Sequence, residues 1–170
     1  MADYHSPTVV QPDIAVSDLT PLEYLVLRHM LEHEETSGEV YFFSTYGIDE
    51  APAIDVVELH AALLQSRDRE SRLNAVIEDI LTGMAIEPGA MTVDLTSSHD
   101  GSFPETILQD VVRRSARLDY VTVVTSYTCP QMRPDGFGGC ATLVSAHRVM
   151  SRTTEDVLAE FVELVARTEA

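Results

Sequence analysis

The fold is decided by residues 120–149, which read YVTVVTSYTCPQMRPDGFGGCATLVSAHRV. The runs 120–128 and 141–149 are rich in β-branched and aromatic residues, a composition that favours extended strands. The Pro, Asp and Gly residues between the two runs are typical of a turn. Because two strands joined by one loop can pair as an antiparallel hairpin, the sequence predicts a C-terminal β-hairpin in a sheet that is at least partly antiparallel.

Helices are predicted on both sides of this hairpin. Residues 20–23, Thr-Pro-Leu-Glu, have the pattern of a capping box with proline at the first helical position, which predicts a helix to about Glu35. N-terminal signals of the same kind, or apolar residues at helical spacing, predict further helices over residues 55–65, 71–82, 102–116 and 153–169.

The predicted fold class is α+β, or mixed α/β, with about four strands and four to five helices. Strands are also predicted over 39–46 and 91–96, so helices and strands do not alternate strictly. We expect a mixed or antiparallel sheet covered by helices. Residues 1–17 are polar and contain two prolines, which predicts a flexible N-terminal arm followed by a single domain over residues 18–170.

The charge of the chain argues against several classes of partner. There are 28 acidic residues and 11 basic ones, and the net charge at pH 7 is −17. Such a field repels phosphate backbones and anionic lipid headgroups, so binding to nucleic acid or to a membrane is not expected. The acidity either keeps the protein soluble or attracts a basic partner.

The sequence predicts a cytoplasmic location. No apolar run approaches the roughly 18 residues that a membrane span requires. The first 17 residues lack the basic start and apolar core of a signal peptide. Two cysteines in 170 residues fit a reducing compartment, where structural disulfides are rare.

The loop between the two predicted strands holds the candidate binding residues. Arg133 supplies a cation for a carboxylate or phosphate, Asp135 supplies a carboxylate, and Phe137 supplies an aromatic surface for stacking. The neighbouring glycines allow a ligand to approach the backbone closely. Because loops held by two strands are often functional, residues 130–139 are the predicted recognition surface.

Cys129 and Cys140 are redox candidates at the two ends of this loop. If the hairpin turns between Pro134 and Asp135, the two cysteines face each other across the strands. Facing Cβ atoms approach to about 4.5–5.5 Å, whereas a disulfide needs about 3.8 Å, so a bond would require local adjustment. The alternatives are that both thiols are small buried hydrophobic groups, or that one is a nucleophile.

Residues 29–33 carry a weaker, metal-binding candidate. Their sequence is His-Met-Leu-Glu-His, which resembles the inverted zinc signature His-x-x-Glu-His of the inverzincin metallopeptidases. The resemblance implies that His29 and His33 bind zinc from one helix face and that Glu32 activates water. It covers five residues and identifies no third ligand, so neither a metal nor a cofactor is predicted for the chain.

These observations favour a non-catalytic protein-interaction or regulatory module that uses the loop 130–139. Its partner is another protein, or a second copy of the chain in a homodimer. The alternative is a small enzyme whose site surrounds Cys129 and Cys140, with Arg133 and Asp135 as polar groups. No catalytic constellation can be assembled with the required spacing, which favours the binding module.

Overall fold

A computed structural model describes residues 4–92, 104–133 and 136–168 and shows a single α+β fold. The described residues form the helices α1 Pro21–Met30, α2 Val56–Ser66, α3 Arg72–Leu81, α4 Glu105–Arg114 and α5 Thr154–Thr168. They form the strands β1 Thr8–Gln11, β2 Ile14–Ala15, β3 Glu32–Thr36, β4 Glu39–Ser44, β5 Ala53–Asp55, β6 Ala90–Thr92, β7 Tyr120–Tyr127, β8 Gly138–Ser145 and β9 Val149–Thr153. The α+β class and the five helices agree with the prediction.

The main sheet is antiparallel and has seven strands rather than four. Its order is β3–β4–β1–β7–β8–β9, and β2 pairs with β4 on the same side as β1. Strands β5 and β6 form a separate antiparallel pair. The predicted hairpin is matched in part. β7 and β8 pair as a hairpin, but the predicted second strand over 141–149 ends at Ser145, and β9 then forms a further strand at the outer edge.

The N-terminal segment belongs to the sheet. β1 lies between β4 and β7, and Val10 at its centre is 1% exposed. The predicted flexible arm over residues 1–17 is therefore wrong over β1 and β2. The local composition of residues 8–11 did not predict strand β1, because the stability of this strand comes from pairing with strands that are far away in the sequence.

Helix α1 begins as predicted but ends earlier. Thr20 accepts a hydrogen bond from the Glu23 backbone, and the Glu23 carboxylate accepts one from the Thr20 backbone, which completes the capping box. The helix ends at Met30 instead of Glu35, because the next residues pair with β4 as strand β3. The two-residue turn between β3 and β4 has positive φ at both Ser37 and Gly38, a geometry that matches the twist of paired strands.

The hydrophobic core lies between the helices and one face of the main sheet. Helices α1 and α4 contribute Leu22, Leu27, Ile107 and Leu108, all with no measurable exposure. The sheet contributes alternate residues of its strands, namely Val10, Val40, Phe42, Val121, Val123 and Val144. The alternating burial of β4 and β7 is the period of a strand with one covered face. On the other face, Val124 and Met150 are 44% and 51% exposed.

One buried carboxylate joins three helices. Glu23 of α1 is 0% exposed, and besides the Thr20 cap it accepts hydrogen bonds from the Ser71 hydroxyl and from Arg114. Ser71 directly precedes α3, and Arg114 is the last residue of α4. The Arg114 Nη2–Glu23 Oε2 distance is 2.5 Å. Because a buried charge is stable only when it is paired and hydrogen-bonded, this contact fixes the relative positions of the three helices.

A second buried carboxylate reinforces the contact between α3 and α4. Asp110 is 5% exposed and accepts hydrogen bonds from the Arg72 backbone at 2.8 Å and from Arg72 Nε at 2.9 Å. Arg113 adds a third donor to the same carboxylate at 3.2 Å. The densest group of bases in the sequence, at the end of α4, is therefore engaged with buried acids of the same chain.

We predict that Arg114→Ala lowers the free energy of unfolding by about 3–5 kcal/mol, because it leaves the Glu23 carboxylate buried without its cation. Urea denaturation measures the change. The matched control is Arg67→Ala, which breaks an ion pair with Glu78 whose side chains are 56% and 60% exposed. That control is expected to cost about 0–1 kcal/mol. Equal losses in the two variants would contradict the structural role of the buried pair.

Candidate functional site

The base of the loop between β7 and β8 is held by backbone hydrogen bonds. β7 ends at Tyr127, and Thr128 then exchanges two backbone hydrogen bonds with His5, at 2.9 and 3.0 Å. Two turns follow, one closed by the Met132 N–H on the Cys129 carbonyl. The other is closed by the Gly136 N–H on the carbonyl of Arg133, at 2.9 Å. The ends of the loop are thus fixed to the sheet and to the N-terminal segment.

Close packing at two glycines also restrains the loop. A Cβ atom on Gly136 would lie 2.3 Å from the Cβ of Cys129, so only glycine fits there. A Cβ atom on Gly138 would lie 2.6 Å from the hydroxyl of Thr154, the first residue of α5. The Gly139 N–H also donates to this hydroxyl. The loop therefore rests against the beginning of the last helix.

The tip of the loop carries two of the three predicted binding residues on its surface. Phe137 is 43% exposed and Arg133 is exposed. Met132, which the sequence did not single out, is 75% exposed and has a φ of 53°, a left-handed conformation that is uncommon outside glycine. Asp135, the third predicted residue, lies outside the described residues.

The two cysteines do not face each other. Cys140 pairs across the hairpin with Thr125, four residues before Cys129, so the observed register differs by four residues from the predicted one. Both thiols are free; Cys129 is 2% exposed and Cys140 is half-buried. The predicted register is therefore wrong, and the buried alternative describes Cys129.

The metal candidate is divided between two elements. His29 lies in α1, whereas Glu32 and His33 lie on β3, so the prediction of a single helix face is wrong. Glu32 accepts hydrogen bonds from the backbone and hydroxyl of Thr45. His33 packs against the rings of Tyr24 and Phe42. Within residues 4–92, 104–133 and 136–168, no three His, Cys, Asp or Glu side chains are grouped so that they could hold a metal ion.

Helix α5 is the second unusual feature of this end of the molecule. A capping box begins it: Asp156 accepts from the backbone and hydroxyl of Thr153, and the Thr153 hydroxyl accepts from the Asp156 backbone. These hydrogen bonds also lower the pKa of Asp156. None of the fifteen residues of α5 is buried. Large apolar side chains that are more than half exposed are Leu158, Phe161, Val162, Leu164 and Val165.

The loop and α5 meet near Tyr127. Burial raises the pKa of this tyrosine, and the nearby Cys140 and Glu155 raise it further. The Arg152 guanidinium on β9 forms an ion pair with Glu160 of α5. The beginning of α5 is therefore anchored to the hairpin, while its apolar residues remain accessible.

A groove of about 840 Å³ lies away from the loop, beside the turn that joins β1 to β2. Its lining is about half polar and includes Asp13, Glu39 and Arg117. Arg117 Nη1 is already paired with Glu39, at 3.3 Å. The arginine of the groove is therefore already in an ion pair and is not free to bind an anionic ligand. The groove contains none of the predicted site residues.

Comparison of the chain with protein-family models, with curated proteins and with solved structures finds no match. In the described ranges, no helix combines the length and the apolar character needed to cross a membrane.

The burial of the cysteines predicts the behaviour of the thiols in solution. In the native protein Cys129 is expected to be unreactive towards an aromatic disulfide reagent, and Cys140 is expected to be the thiol that reacts. Denaturation should reveal two thiols without any reductant. The variant Cys140→Ser should have no thiol that reacts with the reagent in the native state. A thiol count that rises only after reduction would demonstrate a disulfide and contradict the structure.

The contact between Gly136 and Cys129 predicts a sensitive position. Gly136→Ala should lower the free energy of unfolding by about 1–3 kcal/mol or more, because the new methyl group overlaps the Cys129 side chain. The control is Gly89→Ala, since a Cβ atom there meets nothing within 4 Å. Thermal or urea unfolding compares the two variants. Equal stabilities would show that the loop is not packed as described.

Proposed function

We propose that the protein is a non-catalytic protein-interaction module whose recognition surface is the loop 130–139, beside the exposed helix α5. The observation that carries the proposal is the contrast between the restrained backbone of the loop and its exposed side chains. Gly136 packs against Cys129 and backbone hydrogen bonds close both turns, whereas the side chains of Met132 and Phe137 are exposed to solvent. A restrained loop loses little conformational entropy on binding, which favours affinity.

The exposed side chains suggest the chemistry of the partner. Met132 is a flexible apolar side chain that adapts to differently shaped partners, and Phe137 offers an aromatic face. Arg133 is exposed and makes no ion pair among the described residues. The matching partner is a protein segment that carries an apolar side chain close to a carboxylate.

The net charge of −17 does not oppose such a local contact. Charges in solution at physiological ionic strength interact over about 8 Å, so Arg133 acts on a carboxylate docked beside it while distant acids are screened. The bidentate geometry of a guanidinium with a carboxylate would also fix the orientation of the bound segment.

The enzyme alternative receives less support. A cysteine nucleophile must reach its substrate as a thiolate, whereas Cys129 is buried beneath Gly136. Cys140 lies 3.8 Å from the Thr142 hydroxyl, on the face of the sheet that points towards the helices. Neither position offers the exposed, electropositive setting that activates a thiol, so the binding module remains the proposal.

The test is selection of binding peptides from a random display library on the full chain, followed by calorimetry. Selected peptides are expected to carry an aromatic or aliphatic residue near Asp or Glu. Phe137→Ala should lower the affinity for the selected peptides at least tenfold, as expected for a central aromatic contact. Arg133→Ala should lower this affinity about tenfold and should make binding less dependent on salt concentration.

The matched control is Leu64→Ala, which removes an apolar side chain that is 47% exposed on α2. Its affinity for the same peptides should equal that of the native chain. The proposal is rejected if selection yields no binder, or if the loop variants bind as tightly as the native protein. Circular dichroism establishes that each variant is folded.

A further inference from the structure

The main sheet has two outer edges of equal length. β3 lies at one side of the sheet and β9 at the other, and each strand has five residues. All five residues of β3 are exposed, and so are four of the five residues of β9. The backbone of an edge strand presents N–H and C=O groups with which a further extended strand can pair. The sheet can therefore be continued at either side.

In β9, the outward-pointing backbone groups belong to alternate residues. The Arg148 carbonyl accepts a hydrogen bond from the last residue of β8, so the backbone groups of every second residue from Arg148 point towards β8. Those of Val149 and Ser151 point outwards and have no hydrogen-bond partner among the described residues. At Thr153 the outward N–H is already bonded to Asp156. The edge is therefore open over the first three residues of β9.

β3 is open in the same way at His33 and Glu35. The hairpin turn between β3 and β4 pairs Thr36 with Glu39, so the backbone groups of Thr36 and Glu34 point towards β4. Those of His33 and Glu35 point outwards, and neither residue makes a backbone hydrogen bond within the described ranges. Both edges therefore offer unpaired backbone groups to an extended strand.

The side chains of β3 give its edge a negative charge on the face of the sheet away from the helices. Glu32 and Glu34 lie on this face, because His33 between them is opposite the buried Phe42. Glu32 accepts hydrogen bonds from Thr45. The exposed Glu34 carboxylate has no ion pair among the described residues, so it is available to a cation of a neighbouring strand.

The β9 edge is positive on the same face of the sheet. Arg148 and Arg152 lie on this face, because Ser151 is opposite a buried residue of β8 and Arg148 continues the register of the strand. Arg152 is paired with Glu160, whereas the exposed Arg148 has no ion pair in the part of the chain that the structure describes. Residues 136–154 are also the longest run of the chain without Asp or Glu. The two edges of one sheet are therefore complementary in charge.

We propose that β9 of one copy of the chain pairs antiparallel with β3 of a second copy, so that the sheets of successive copies join head to tail. Antiparallel pairing continues the alternation of strand directions and keeps the same face of both copies on the same side. It brings the face that carries Arg148 and Arg152 beside the face that carries Glu32 and Glu34. Pairing of either edge with its own kind would instead place like charges together.

An interface between two different edges also determines the size of the assembly. One free β3 and one free β9 remain at its ends, so further copies add until the sheet closes into a ring or grows as a filament. The net charge of −17 opposes association, but at physiological ionic strength charges in solution are screened beyond about 8 Å, so distant acids act weakly. The inference goes beyond the proposed function, because neither edge includes the recognition loop.

The first test is sedimentation of the full chain over a wide range of concentrations at physiological salt. The mean mass is expected to rise beyond twice the chain mass of 18.8 kDa. Glu34→Arg alone, or Arg148→Glu alone, should weaken association by about threefold to tenfold, because each places like charges across the interface. The controls Glu87→Arg and Arg67→Glu make the same changes of charge at exposed positions outside β3 and β9 and should leave association unchanged.

Mixing the two charge variants identifies the edges that meet. An equal mixture of Glu34→Arg and Arg148→Glu chains should regain association, because every contact between the two variants then joins opposite charges. If β9 paired with β9, Glu34→Arg alone would have no effect on association. If β3 paired with β3, Arg148→Glu alone would have none.

Ser151→Pro tests the backbone contact itself. The Ser151 N–H points outwards, so proline removes a donor of the edge without breaking a hydrogen bond between β8 and β9. The variant should not add a further copy at β9. Mixed with Glu34→Arg, which retains the native β9, it should form pairs of twice the chain mass as the main assembly. The control Ser151→Ala removes only the hydroxyl that contacts Thr142 and should associate as the native chain does.

A native chain that sediments as a monomer at every concentration overturns the proposal, as does association that ends at a dimer. Association that ignores both charge reversals, or that Ser151→Pro leaves unchanged, also overturns it; circular dichroism establishes that each variant is folded. Peptide binding at Arg133 and Phe137 is measured separately, on the Ser151→Pro chain. Failure of the assembly therefore leaves the loop proposal standing, and failure of the loop leaves the assembly standing.

Discussion

The buried ion pair between Glu23 and Arg114 is the constraint on which the rest of the structure depends. A fully buried carboxylate must be neutralised and fully hydrogen-bonded, and Glu23 meets this requirement only when α1, α3 and α4 all lie in their observed places. The three helices then form one layer. Their apolar faces cover alternate residues of β1, β4, β7 and β8, so the buried ion pair holds together the layer of helices that covers one face of the sheet.

The C-terminal part of the molecule differs from this layer because its apolar side chains are exposed instead of buried. The hairpin is anchored to the sheet by a long antiparallel ladder, yet the loop at its end and the helix that follows expose apolar side chains. Large exposed apolar patches on a soluble protein usually mark interaction surfaces. Catalytic chemistry, by contrast, needs converging polar groups, and here the two cysteines are separated in register while the basic cluster of α4 is engaged with Asp110 and Glu23. The proposed recognition function rests on this division into a closed core and an exposed end.

The sequence predicts what depends on local chemistry and fails where distant residues decide. The capping box that begins α1 is confirmed, and the helix start predicted at residues 153–156 is also observed, because in both cases the donors and acceptors lie within three residues of each other. Strands β1 and β3 were missed because their stability comes from pairing, although the Ser37–Gly38 turn was a usable signal for a hairpin. The Glu23–Arg114 pair joins residues 91 positions apart, which no local pattern reveals. At the site, Phe137 is exposed, whereas the predicted cysteine register is wrong because β7 and β8 pair with Cys140 opposite Thr125, in the register that places Val121, Val123 and Val144 on the buried face.

Hydrogen exchange of the full chain tests the central claim most directly. The amides of the core and the amides of α5 are expected to differ in protection, because the core is closed by packing within the chain whereas no residue of α5 is buried. We predict slow exchange in α1 and α4 and much faster exchange in α5. Slow exchange of α5 that matches that of α1 would contradict the claim.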